Sequence, residues 1–214
     1  GQGGGRSVSG TGAWWLHPLA AGWLRAEADQ AHRMLSPLRG QQVLELLPDG
    51  VPLLSLPDTH AITWAQAHGH WQRPVRACHH HLPVVDQGVD VVIWRYLEMN
   101  PADRAALMGD IHRSLRGGGQ LLIVALNPLQ PACWRACHWR QLGQQALEMS
   151  WPLSPRGFRT EAWAGAGGRR LLQPVRLLLL RKFNDPRIIQ PRHDRLMKAV
   201  KNPAASSVPS CRAA

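Results

Sequence analysis

Residues Leu82 to Pro128 read LPVVDQGVDVVIWRYLEMNPADRAALMGDIHRSLRGGGQLLIVALNP, and this stretch decides the fold. VDVVIW, from Val89 to Trp94, is β-branched and apolar, the composition of a strand covered on both faces. Asn100-Pro101 starts a helix, because proline is tolerated in a first helical turn and its fixed φ suits that position. Ala105, Leu107, Met108, Ile111 and Leu115 recur at helical spacing and form an apolar stripe that can lie on a sheet. Arg116-Gly117-Gly118-Gly119 is expected to stop the helix, since glycine adopts the left-handed conformation common at helix C-termini. LLIVAL then reads as a second buried strand. Two buried strands joined by a helix make a βαβ unit, hence a parallel sheet and an α/β fold.

The pattern LPxxDxxxDxVxxxxxLE, the helix ending in Leu115-Arg116-Gly117-Gly118-Gly119 and the strand ending in Asn127-Pro128 together resemble the second half of a class I S-adenosylmethionine-dependent methyltransferase. The Asn-Pro ending, a tryptophan-rich start and a first strand of the type VLELL are similar to a proteobacterial branch of small methyltransferases whose own glycine motif is reduced. The similarity spans Trp14 to Lys182, with its specific part in the central run. It implies a Rossmann-like sandwich: a mostly parallel sheet, an antiparallel final strand, and helices on both faces. The alternative is a generic βαβ unit from another doubly wound protein.

Length and composition agree with one domain. The chain has 214 residues, 44% of them hydrophobic and 18% charged, so it can bury a sizeable core. No apolar run approaches the roughly 20 residues that span a bilayer. GQGGGRSVSG reads as a flexible leader, residues 1–12, with no charged-then-apolar signal segment. Four cysteines without an export signal suggest reduced thiols and a cytoplasmic protein, expected as a monomer.

Charge is the second informative feature. Twenty-five Lys and Arg against fourteen Asp and Glu give +11, a balance that favours phosphate backbones or anionic surfaces. Arg169, Arg170, Arg176, Arg181, Lys182, Arg187, Arg192, Arg195, Lys198, Lys201 and Arg212 load the last fifth of the chain. A nucleic-acid contact through this basic tail, residues 185–214, is one reading. A solvated tail is the other. Between them, residues 13–184 form the methyltransferase-like domain.

Within that domain, Trp14, Trp15, Leu16, Leu19, Trp23 and Leu24 lead into the helix AGWLRAEADQAHRML, ended by Ser36-Pro37. Strand one is expected at Gln42–Leu47, short strand-like pieces at 53–56 and 61–64, and strand three at Val75–Cys78. Trp134 to Met149 reads as a helix, and Gly157–Trp163 with Val175–Lys182 as a final antiparallel pair.

The resemblance implies S-adenosylmethionine as cofactor and assigns its contacts by position. Glu45, Leu46, Asp49 and Gly50 would follow strand one, Cys78, His79 and Leu82 would lie along the adenine, Arg95 would follow strand four, and Asn127 would lie on the acceptor side. If active, the domain would transfer the methyl group by direct in-line displacement, where positioning contributes most of the rate. The residues themselves argue for a reduced site. A nucleotide-type cofactor needs glycines where backbone approaches it closely. Leu47 and Asp49 stand at two of those places, no acidic residue closes strand two, and Cys78 replaces the aspartate after strand three. Weak or absent cofactor binding is therefore expected.

Other chemistry is set aside. There is no GxSxG elbow, no GxxxxGK[ST] loop and no HExxH helix. Cys78-His79-His80-His81 and Cys133, Cys137, His138 are zinc-type ligands, but adjacent residues rarely converge on one ion and no metal is assigned. His79 to His81 are the groups near the expected cleft that titrate close to neutral pH, and no general base is assigned. Among ten tryptophans, Trp14, Trp15, Trp23 and Trp94 are expected in the core, while Trp64, Trp71, Trp134 and Trp139 are candidates for stacking on an aromatic ligand. The reading is a methyltransferase with a reduced cofactor site and an unassigned acceptor, a small molecule being favoured. The alternative is a catalytically inactive domain of the same fold that binds nucleic acid or a protein partner.

Overall fold

The computed structural model describes residues 14–35, 38, 40–67, 70–73, 77–78, 81–97, 99–136, 157–167 and 173–183. The leader, the basic tail, His79, His80, Cys137, His138, Trp139, the Ser36-Pro37 stop and the expected helix beyond Ala136 lie outside them. After a single 3-10 turn, Trp14–Leu16, come α1 (Ala20–Leu35), β1 (Gln42–Pro48), β2 (His60–Ala67), β3 (His70–Arg73), β4 (Ala77–Cys78) and β5 (Val89–Arg95). They are followed by α2 (Pro101–Ser114), β6 (Leu115–Leu126), α3 (Pro131–Ala136), β7 (Phe158–Ala166) and β8 (Val175–Lys182). The strands form one eight-stranded sheet in the order β4-β3-β2-β1-β5-β6-β8-β7. β2, β1, β5 and β6 are mutually parallel, and β8 runs against β6 as expected of the final strand.

The sheet is covered on both faces. Alternate residues of β1, β5 and β6 (Val43, Leu47, Val91, Ile93, Leu122, Val124) meet Trp23, Ala31 and Leu35 of α1. The intervening residues (Leu44, Leu46, Val92, Trp94, Leu121, Ile123) meet Leu107, Met108 and Ile111 of α2. Leu107 and Ile111 are fully buried, each contributing about 1.5–3 kcal/mol relative to exposure. The N-terminus of α2 follows the sequence expectation: Asn100 is the cap, its side chain accepting from the Asp103 backbone at 2.9 Å, with Pro101 next.

Four expectations are corrected. α2 does not end on a left-handed glycine: Leu115 is extended (φ −71°, ψ 140°) and starts β6 at once. The Lys182 ammonium replaces the glycine cap, donating to the carbonyls of His112 and Leu115 at 2.7 Å each. Strand three is not Val75–Cys78; β3 begins at His70 and runs antiparallel to β2, leaving two residues, Ala77–Cys78, for β4. Trp71 is the reason, because it is fully buried edge-on against Trp64, with ring centroids 6.2 Å apart. Trp64 and Trp71 are therefore core residues and not stacking platforms. Residues 53–56 are not strand, since Pro52 and Pro57 bracket them and proline removes ladder donors. β1 and β2 are consequently joined through residues 49–59 without a crossover helix.

The LPxxD pattern has a structural explanation. Asp110 of α2 accepts from the Leu82 backbone at 2.6 Å, and Arg113 donates to the carbonyls of Leu82 (3.0 Å) and Val84 (2.7 Å) and to the Asp86 carboxylate (2.5 Å). The loop before β5 is thereby clamped onto the last turns of α2. Burial pushes the Asp110 carboxyl up, but hydrogen bonds from Arg113, Leu82 and His81 outweigh it and hold the group below the ordinary carboxylate range. A depressed folded pKa stabilises the protein above the unfolded value, about 3.9, and that contribution is lost as pH falls through the folded value. Urea midpoints measured across the acid range should fall below about pH 4. Asp110→Asn should lower the midpoint near neutrality and flatten this acid limb.

Candidate cofactor cleft

In open α/β sheets, ligands sit outside the carboxyl ends of the parallel strands. Here that edge carries a closed ionic network. Glu45 alternates with Val43 and Leu47, and Arg95 with Val91 and Ile93, so both point to the α1 face. Arg95 donates Nε to Glu27 and Nη1 to Glu45, at 2.6 Å each, and Nη1 also to the Pro52 carbonyl at 2.7 Å. The second oxygen of Glu27 accepts the Tyr96 hydroxyl at 2.7 Å. Glu45 also accepts the Leu54 backbone N–H at 3.1 Å, which pins the loop after β1 over the network. All four side chains are buried, Arg95 at 1% exposure and Glu45 at 2%.

The electrostatics follow from burial and pairing. Burial raises the pKa of Glu45, and Arg95 and the Leu54 N–H only partly offset this. Burial disfavours the Arg95 cation, yet Glu27 and Glu45 overcompensate and hold its proton more firmly than usual. Burial, followed by the Glu27 anion, pushes the Tyr96 hydroxyl well above its ordinary range. Tyr96 adopts φ +51°, the left-handed region that bulky residues rarely enter. Its hydrogen bond to Glu27 and an edge-on contact with Trp14 (centroids 4.8 Å) hold it there.

The other positions expected along the cofactor differ in their surroundings. Leu46 is wholly buried on the α2 face. Asp49 is exposed, and its backbone N–H donates to Gln66 at 2.9 Å. Gly50 has φ +87°, and a Cβ there would stand 3.1 Å from the Trp15 indole nitrogen, so Trp15 leans over the turn. Leu82 is buried against α2. Cys78 ends β4, with β3 and β2 between it and β1, roughly 14 Å away at about 4.8 Å per strand. Asn127 is 2% exposed; its amide donates to the Gln173 carbonyl at 2.9 Å and its oxygen accepts the Leu129 N–H at 3.1 Å. It fastens the turn after β6 to the start of β8. Arg95 and Glu45 are thus brought together as an ion pair.

No protein-family model matches the chain, and no curated protein sequence does. Solved structures do. An S-adenosylmethionine-dependent methyltransferase from Aquifex aeolicus superposes with a TM-score of 0.51 at 9% identity, covering 75% of this chain and 92% of that one. The pyocyanin biosynthetic protein PhzM gives 0.51 at 11% identity, covering 76% of this chain and 55% of that one. The fold is that of the class I methyltransferases. At these identities the likeness concerns the fold alone.

Glu45, the acidic residue within β1, has given its carboxylate to Arg95, the Trp15 indole lies beside the exposed Gly50, and β2 ends in Ala65-Gln66-Ala67 without an acid. Leu47, where the sequence suggested a side chain blocking the turn, is 1% exposed and packs beneath α1. Cys133 is buried as well, its thiol pushed up to about 12 and turned to the Pro174 carbonyl at 3.6 Å. Among the described residues no group of His, Cys, Asp and Glu could hold a metal ion.

Sequence reasoning missed Glu27. Its signal was present: α1 buries Ala20, Trp23, Glu27, Ala31 and Leu35, and a carboxylate in the middle of an apolar stripe requires an internal cation. Arg95→Met should leave Glu27 and Glu45 buried and unpaired and lower stability by about 3–5 kcal/mol. Replacing both glutamates by glutamine in the same chain should recover most of the loss. Denaturant midpoints of the single and triple variants would measure it.

Proposed function

We propose that the chain is a methyltransferase-fold domain whose cofactor site is reduced to the point that S-adenosylmethionine binds weakly or not at all, and that it acts as a catalytically inactive binding domain. The observation that carries this reading is the Arg95 guanidinium, which occupies the carboxyl end of β5 and consumes the Glu45 carboxylate. A cofactor would have to displace Trp15 and compete with an ion pair already desolvated, and breaking such a pair one-sidedly is strongly unfavourable. Function is argued from the site and not from the scaffold.

The reading that retains methyl transfer has one observation in its favour. Leu129 and Trp134, after β6 on the acceptor side, are 70% and 64% exposed, and such apolar groups suit a small hydrophobic acceptor. That reading requires the Trp14–Leu16 turn to withdraw from Gly50.

Calorimetric titration of the full chain with S-adenosylhomocysteine separates the two. The expected result is no saturable heat up to millimolar ligand, a binding free energy weaker than about 4 kcal/mol. A sub-micromolar constant, more than about 8 kcal/mol, would overturn the proposal. Trp15→Ala, which removes the indole beside Gly50 and leaves Arg95 in place, should not restore binding. A gain of tenfold or more, about 1.4 kcal/mol, would show that the indole is a gate over a working site.

A further inference from the structure

The opposite edge of the sheet, where the parallel strands begin, has a different character. Two cavities of about 350 Å³ and 300 Å³ flank Arg181 there. The first is lined by Arg159, Thr160, Glu161, Lys182 and Phe183, the second by Gln41, Asp90, Arg116 and the Gly117–Gly119 stretch of β6, and Arg181 belongs to both. Their lining holds four cationic side chains and two carboxylates.

The cations are arranged in a way that folding alone does not favour. Arg159 and Arg181 stand directly opposite each other on β7 and β8, and like charges in that position are destabilising. Glu161 offsets part of this, accepting from Arg181 Nε and from Gln120 at 3.0 Å. The terminal nitrogens of Arg181 and the whole Arg159 guanidinium have no hydrogen-bond partner among the described residues. Arg116, half exposed, gives Nη1 to Asp90 at 2.9 Å and Nε to the Gln87 carbonyl at 3.3 Å, and its Nη2 has no partner among the described residues. Lys182 is not part of the offer, since its ammonium is committed to the end of α2. Forked donors of this kind match phosphate oxygens.

We infer that this edge is a binding groove for single-stranded nucleic acid, with Arg159, Arg181 and Arg116 on the phosphate backbone and Phe183 as a stacking face for a base. Phe183 is 57% exposed at the rim of the first cavity, and base–aromatic stacking is tolerant of sequence. The basic segment of the sequence supplied charge without interleaved aromatics; the folded edge supplies both. A duplex would offer Phe183 no unstacked base. The groove lies across the sheet from the cofactor cleft, so the inference holds whether or not the cleft binds S-adenosylmethionine.

The test is fluorescence anisotropy of a labelled oligouridine of about 20 nucleotides with the full chain, from about 50 to 200 mM salt. The wild-type protein should bind with an affinity that falls linearly in log salt. The double variant Arg159→Gln/Arg181→Gln should lose at least tenfold in affinity at the lowest salt. Its slope should fall by about 1.4, two contacts at about 0.7 each. Phe183→Ala should weaken binding with the slope unchanged. Glu161→Gln removes no arginine and frees Arg181 Nε; it should tighten binding, which keeps the test decisive if the double variant fails to fold. No binding by the wild-type chain, or an unchanged slope and affinity in a folded double variant, overturns the inference. So does displacement of the oligonucleotide by inorganic phosphate beyond the effect of sodium chloride at equal ionic strength, which would assign the groove to a lone phosphate group.

Discussion

A buried guanidinium between two carboxylates organises this protein. Arg95 joins three elements that are distant in the chain, α1 through Glu27, β1 through Glu45, and the loop after β1 through Pro52. Each of these charges is out of water, and none would be tolerated there alone. The network therefore acts less as a source of net stability than as a specification of position. α1 has to sit where Glu27 reaches Arg95, and residues 51–54 have to follow the path that presents the Pro52 carbonyl and the Leu54 N–H. The same requirement holds Tyr96 in a left-handed conformation that it would not otherwise adopt.

This constraint bears directly on function, because it lies where an open α/β sheet offers its ligand site. The scaffold retains the sheet order, the helix between β5 and β6, and the final antiparallel strand. Glu45 and Arg95 are turned inward to satisfy one another. The Trp15 indole beside Gly50, the helix-free link between β1 and β2, and the hairpin strand that separates Cys78 from β1 all belong to this half of the sheet. The other edge is held by different means. Asp110 and Arg113 tie the loop before β5 to α2, and Lys182 caps α2 from the far strand. Those two ties use up their charged groups, whereas Arg159 and the terminal nitrogens of Arg181 have no hydrogen-bond partner among the described residues.

The central run shows how far local sequence reaches. Val89–Trp94 and Leu121–Leu126 are strands and 101–114 is the helix between them, because apolar periodicity and the Asn-Pro start express preferences set by neighbouring residues. The final pair of strands was legible for the same reason. Failures occurred where a distant group replaced a local signal. Gly117 to Gly119 do not cap α2, since Lys182, far along the chain, does so. His70–Arg73 is a strand because Trp71 finds Trp64, a contact that no short-range pattern expresses.

By itself, the sequence determined the fold class, the element order of the βαβ core and the shortage of glycines after β1, since each depends on residue type and spacing along the chain. Which way the polar residues of the expected cleft would turn was decided only by the tertiary structure. Glu45 and Arg95 look like ligand groups when read alone. They become an internal ion pair because the packing of α1 brings Glu27 to the same point and excludes water from it. Likewise, Arg159 and Arg181 are separated in sequence and become opposite neighbours only when β7 pairs with β8. Pair electrostatics depend on distance and on dielectric, and neither exists until the chain has folded.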